Sequence, residues 1–148
     1  MDIGTKLLNY TISFCVGLFF ITYLLKIPHL LTGNSKLVNN YYIDKFNTNV
    51  PIDYILVLIY LIIANVFIHI LKIKKNIYKI LIVLLITLII SSAFYYYFIS
   101  FPKTNNFFSI WFNTVGYSAV IYDAILLLVI YVIYLYMDNI IKVDKIIF

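Results

Sequence analysis

Residues 117–137 read YSAVIYDAILLLVIYVIYLYM and are closed by Asp138. A single charge, Asp123, interrupts this run. At about 1.5 Å of rise per helical residue, a run of this length crosses a hydrocarbon core about 30 Å thick. Three other runs have the same character: Leu7–Leu25 between two lysines, Tyr54–Leu71 between Asp53 and Lys72, and Ile80–Ser100 after Lys79. Backbone groups in lipid have no water to pair with, so each run must satisfy its own hydrogen bonds as a helix, despite its many β-branched residues. The expected fold is an all-α membrane protein with four transmembrane helices, forming a single domain over residues 1–148. The first run is too long for a secretory signal, and Lys26-Ile27-Pro28 follows it where a small-residue cleavage site would stand.

Composition points the same way. The chain is 64% hydrophobic and 11% charged, with a mean hydropathy of +1.01, whereas soluble domains are about half apolar and about a quarter charged. A soluble globule of this length still exposes a large share of its surface and could not hide so much apolar area. The bilayer is therefore the expected partner.

The net charge of +5 comes from lysine alone, since the chain has no arginine. Base readout and bidentate phosphate clamps rely on arginine's planar fork, so a nucleic-acid partner is not expected. Glutamate and glutamine are absent too, and Ile, Tyr, Phe, Lys and Asn dominate, as A/T-rich coding would produce. With one cysteine, Cys15, the chain can form no internal disulfide and no cysteine-based metal site.

Lysine counting orients the spans. Lys6, Lys72, Lys74, Lys75, Lys79, Lys142 and Lys145 fall on one side, and Lys26, Lys36, Lys45 and Lys103 on the other. The positive-inside rule puts the tight basic loop around Lys74, and with it both termini, in the cytosol. Cysteine labelling near Lys74 and at position 148 is expected to report the cytosol at both places. Labelling of either from outside would reverse the orientation.

Two connections lie on the opposite side. Residues 26–53 are polar and Asn-rich, with Pro28, Gly33 and Pro51 as breakers; Leu37–Phe46 is expected to form a short surface helix. Residues 101–116 carry Phe107, Phe108, Trp111 and Phe112, an aromatic segment expected in the membrane interface before the fourth helix.

Asp123 is the most informative residue. It sits about 9 Å inside its span, where a carboxylate costs about 2.5 to 3.5 kcal/mol on insertion scales. Two readings follow. The acid is a proton or cation site, or it joins helices by hydrogen bonding to Ser91, Ser92 or a tyrosine, or by pairing with Lys103. A second polar group is formed by Asn9 with Ser13 and by Asn65 with His69, each pair four residues apart on one helix face. Antiparallel first and second helices bring both pairs into the cytosolic half, where they are expected to meet. Small residues mark expected packing faces: Ser13 with Gly17, Thr87 with Ser91, and Gly116 with Ala119 and Asp123.

No catalytic, cofactor or metal motif stands out. Asn9-Tyr10-Thr11 matches a glycosylation sequon inside a span, Gly33-Asn34-Ser35-Lys36 lacks phosphate-loop spacing, and the glutamate-dependent zinc motif has no glutamate to use.

The stretch FFSIWFNTVGYSAVIY, residues 107–122, continues into Asp123. It resembles small multi-pass membrane proteins of nucleocytoplasmic large DNA viruses. That resemblance implies a protein of the virion's internal membrane or of a virus-modified host membrane, and it brings no activity with it. The leading expectation is a non-enzymatic structural or assembly component, with membrane or capsid proteins or further copies of itself as partners. The alternative is a small channel or a proton or cation carrier using Asp123.

Overall fold

The computed structural model describes residues 3–101 and 106–147, the last seven of these by backbone alone. Every regular element among the described residues is helical. The chain begins with α1 (Ile3–Leu18), which continues as a π-helical turn over Phe19–Leu24. Two short helices follow, α2 (Ile27–Thr32) and α3 (Ser35–Asn39), the latter extended by a second π-helical turn over Asn40–Asp44. The long α4 (Phe46–Ile70) and α5 (Asn76–Ile99) come next, then α6 (Phe107–Val115) and α7 (Ser118–Ile147).

Among the described residues, four stretches are long and apolar enough to cross a membrane: Ile3–Leu24, Phe46–Ile70, Asn76–Ile99 and Ser118–Ile140. The protein is therefore a four-helix, multi-pass membrane protein. Helix α7 is central and packs on both α1 and α5, while α4 packs on α5. The most apolar windows of α1 and α7 are each 44% buried, against 28% for α4 and 22% for α5. Most of the surface of α4 and α5 thus faces outward. Ile55, Ile59, Ile62 and Val66 on α4, with Leu81, Leu85 and Ile89 on α5, form exposed stripes at helical spacing. In water such stripes would be a liability; in a bilayer they are the solvated face.

The helices are longer than their uncharged cores. α5 takes Lys79 into its first turn, and α1 takes in Lys6. Long amphipathic side chains can keep a head in water while their stems follow the helix. The larger difference is at α4, which begins at Phe46 rather than Tyr54 and runs through Pro51. Proline near the start of a helix removes few ladder bonds. Asp53 is thereby drawn inside the helix.

The first polar connection is helical where Leu37–Phe46 was expected to be, and it is two-sided, with Asn39 and Ile43 to Phe46 exposed and its other face turned inward. Val38, Tyr41 and Tyr42 are all buried. Helix α6 is likewise turned inward: Trp111 and Phe112 are buried, and the Phe112 ring stacks on Phe98 of α5 at 5.6 Å. One end of the bundle is thus plugged by α3, its π-helical turn and α6.

Gly17 is a packing glycine. A Cβ there would lie 2.7 Å from Ile130 Cγ1, so α1 and α7 touch closely at this point. Gly116 is not, which corrects its expected place on a packing face. It precedes α7 with φ of 62°, and an added Cβ would meet nothing within 4 Å. Glycine is used there for its left-handed backbone. Ala119, by contrast, is fully buried in α7.

Candidate functional site

Helices α4 and α7 both start at the plugged end, and each brings an aspartate inward from there. Asp53 is the eighth residue of α4 and Asp123 the sixth of α7, so they lie about 10 and 8 Å along their helices. Both line a single cavity of about 220 Å³. Its wall is otherwise apolar: of sixteen lining residues, nine are aromatic and five aliphatic. No lysine lines it.

Each carboxylate has a hydroxyl donor from another element. Ser91 of α5 donates to Asp123 Oδ2 at 2.7 Å. The Tyr60 hydroxyl is 3.5 Å from Ser91 Oγ; because Ser91 gives its proton to Asp123, Tyr60 is the donor of that pair. The Tyr41 hydroxyl donates to Asp53 Oδ1. Asp53 Oδ2 is enclosed and has no hydrogen-bond partner within bonding distance among the described residues, although the Tyr42 side chain also acts on this carboxylate. That atom is the least satisfied acceptor in the site, and burying such a group is costly.

The two π-helical turns supply the neighbours. Each turn widens its helix locally, a feature that recurs at functional sites. The second turn points consecutive residues, Tyr41 and Tyr42, into the bundle. Their main chain is held from both sides, Asn49 Nδ2 donating to Tyr41 O at 3.2 Å and the Tyr23 hydroxyl to Tyr42 O at 2.7 Å. Burial, reinforced by nearby Asp53 and Tyr122, pushes both hydroxyls well above the usual tyrosine range, so they remain protonated donors. The first turn contributes Thr22, whose Oγ1 is 2.7 Å from the Tyr122 hydroxyl. Trp111, the only tryptophan in the chain, lines the cavity with its ring centroid 5.2 Å from that of Tyr41.

The expected polar residues are only partly brought together. Of the partners expected for Asp123, Ser91 meets it. Ser92 instead faces the Tyr117 hydroxyl at 3.3 Å, and Thr87 bonds back to Val83 O at 2.8 Å. Lys103 lies outside the described residues. Asn9 and Ser13 are buried, with Ser13 Oγ 3.9 Å from Met137 Sδ of α7. Asn65 and His69 are exposed along a shallow groove on the outside of α4. The two pairs therefore do not meet. Spacing of four puts two residues on one face but does not say which neighbour that face meets. Among the described residues, no three of His, Cys, Asp or Glu are grouped closely enough to hold a metal ion.

Asp53 was the residue missed. Beside Pro51 and at the edge of an uncharged run, it reads as a boundary charge. The available signal was the apolar content upstream of it, Phe46, Val50 and Ile52, which lets the helix start two turns earlier.

The geometry can bind or pass a positive charge: two carboxylates from separate spans, a bare acceptor, hydroxyl donors and an aromatic wall. No protein-family model matches the chain, and no curated protein or solved structure matches it either.

Proposed function

We propose that this multi-pass membrane protein carries a proton or small cation, using Asp53 and Asp123 as the working pair. The observation that supports it is the shared cavity. A carboxylate within a span costs about 2.5 to 3.5 kcal/mol on insertion scales, and intramembrane acids mark ion or proton paths by default. Two of them facing one space, with Asp53 Oδ2 left unbonded, exceed what helix joining requires. The reading involves no chemical transformation of a substrate. It places the plugged end away from the cytosol, with both termini cytosolic, on the lysine asymmetry alone.

The test is flux in reconstituted vesicles at matched incorporation. Wild type should pass protons or small cations, and Asp53→Asn or Asp123→Asn should each abolish that flux while leaving the helix content unchanged. No flux from well-folded wild type would end the carrier reading.

A second reading has its own support. The bonds from Ser91 to Asp123 and from Tyr41 to Asp53 join separate elements, as acids in a purely structural bundle would. On that reading the protein is an assembly component of a viral or virus-modified membrane, in keeping with the resemblance of residues 107–123. Both Asn variants would then preserve assembly, and wild type would show no flux.

A further inference from the structure

We propose that the Asp53–Asp123 cavity takes a compact organic cation, one with a flat or branched apolar body and a quaternary or protonated amine head. The proposal rests on the reading of these two acids as a working pair and names what they would hold. Three features of the cavity point to it. The first is size. At about 220 Å³ the cavity exceeds the roughly 150 Å³ that holds benzene in an engineered apolar core, which leaves room for a ring and a small head group but not for a long lipid.

The second is the wall. A bare alkali ion needs a shell of oxygens, and among the sixteen residues lining this cavity only two aspartates and four tyrosines carry side-chain oxygens. The remainder is aromatic and aliphatic, including Trp111 and Phe98. Aromatic rings attract cations through their quadrupole, most of all when water is excluded, and they shelter an apolar body that an inorganic ion lacks. A monocation and one proton together would neutralise the two acids, and Asp53 Oδ2 is an acceptor with no hydrogen bond among the described residues.

The third is access. Ile52 of α4 and Phe94 of α5 line the cavity and each keeps 36% of its surface exposed. Both residues belong to candidate membrane spans, so a route past them would start beside lipid, where an amphiphilic cation concentrates and a hydrated ion does not.

Trp111, as the only tryptophan, reports on the site directly. The full-length protein in detergent would be titrated with benzyltrimethylammonium while Trp111 fluorescence is followed. The parallel titration uses neopentylbenzene, its neutral carbon isostere. Saturable quenching by the cation is expected, with affinity about tenfold or more above that of the isostere. Asp53→Asn and Asp123→Asn should each weaken it by about tenfold or more, since each removes a charge partner from a desolvated site. Equal affinity for cation and isostere would overturn the proposal, and that comparison needs no variant to fold. Competition by potassium at equal concentration, or indifference to both Asn variants, would overturn it too. Vesicle flux of protons without ammonium binding would reject this ligand and keep the carrier. Ammonium binding without any flux would keep the ligand site and reject the carrier.

Discussion

Gly17→Leu is expected to force α1 and α7 apart and to cost about 1 to 3 kcal/mol or more of stability in detergent, the range for overpacking a filled core. The first added carbon alone would come within 2.7 Å of Ile130 Cγ1 and 3.4 Å of the Ile130 Cα. Ile130 is fully buried, so it has no free direction in which to move. Val16, next in sequence but 48% exposed, provides the control: Val16→Leu should leave the unfolding temperature unchanged. Specificity can be checked with a double-mutant cycle. Gly17→Ala should be strongly destabilising in wild type and nearly neutral in an Ile130→Ala background, because the clashing atom is gone. Additive effects would mean that the two residues do not touch.

Asp123 gives the second large effect, and the direction depends on the substituent. Asp123→Leu would keep the helix in lipid but leave the Ser91 hydroxyl, now bonded at 2.7 Å, without its acceptor. A buried polar group stripped of its partner costs about 1 to 3 kcal/mol. Asp123→Asn retains an oxygen for Ser91 and removes the intramembrane charge, so it should be no less stable than wild type. Thermal unfolding in detergent should therefore rank Leu below both Asn and wild type. If Asn and Leu destabilise equally, the Ser91 bond is not what holds Asp123 in place. The same substitutions at Asp53 should separate less, because Tyr41 satisfies only one of its oxygens.

The four spans were legible because lipid imposes one rule on every residue of a span, and hydropathy sums that rule over about twenty positions. Their ends were not legible. Lys6 and Lys79 lie inside helices rather than beyond them, since a long cationic side chain can leave the membrane while its backbone stays helical. Asp123 could be found from sequence as a charge surrounded by apolar residues. Asp53 could not, because the upstream residues that make α4 a longer helix read as a connection. Tyr41 and Tyr42 read as part of a surface helix because Asn39, Asn40, Asp44 and Lys45 surround them. Of the two glycines placed on packing faces, Gly17 was identified by a small residue four positions earlier, whereas Gly116 serves a positive φ, a use that spacing does not reveal.

The claim on which the functional reading depends is that Asp53 and Asp123, seventy residues apart in sequence, face one cavity. Cross-linking tests it most directly. Cys15 is exposed and would be replaced with serine, after which cysteines would be placed at positions 53 and 123 and treated in membranes with a short bismaleimide. An intramolecular cross-link that holds the two halves together after cleavage in the loop around Lys74 is the predicted result. Failure to cross-link, with each single cysteine still labelled by a monofunctional maleimide, would contradict it.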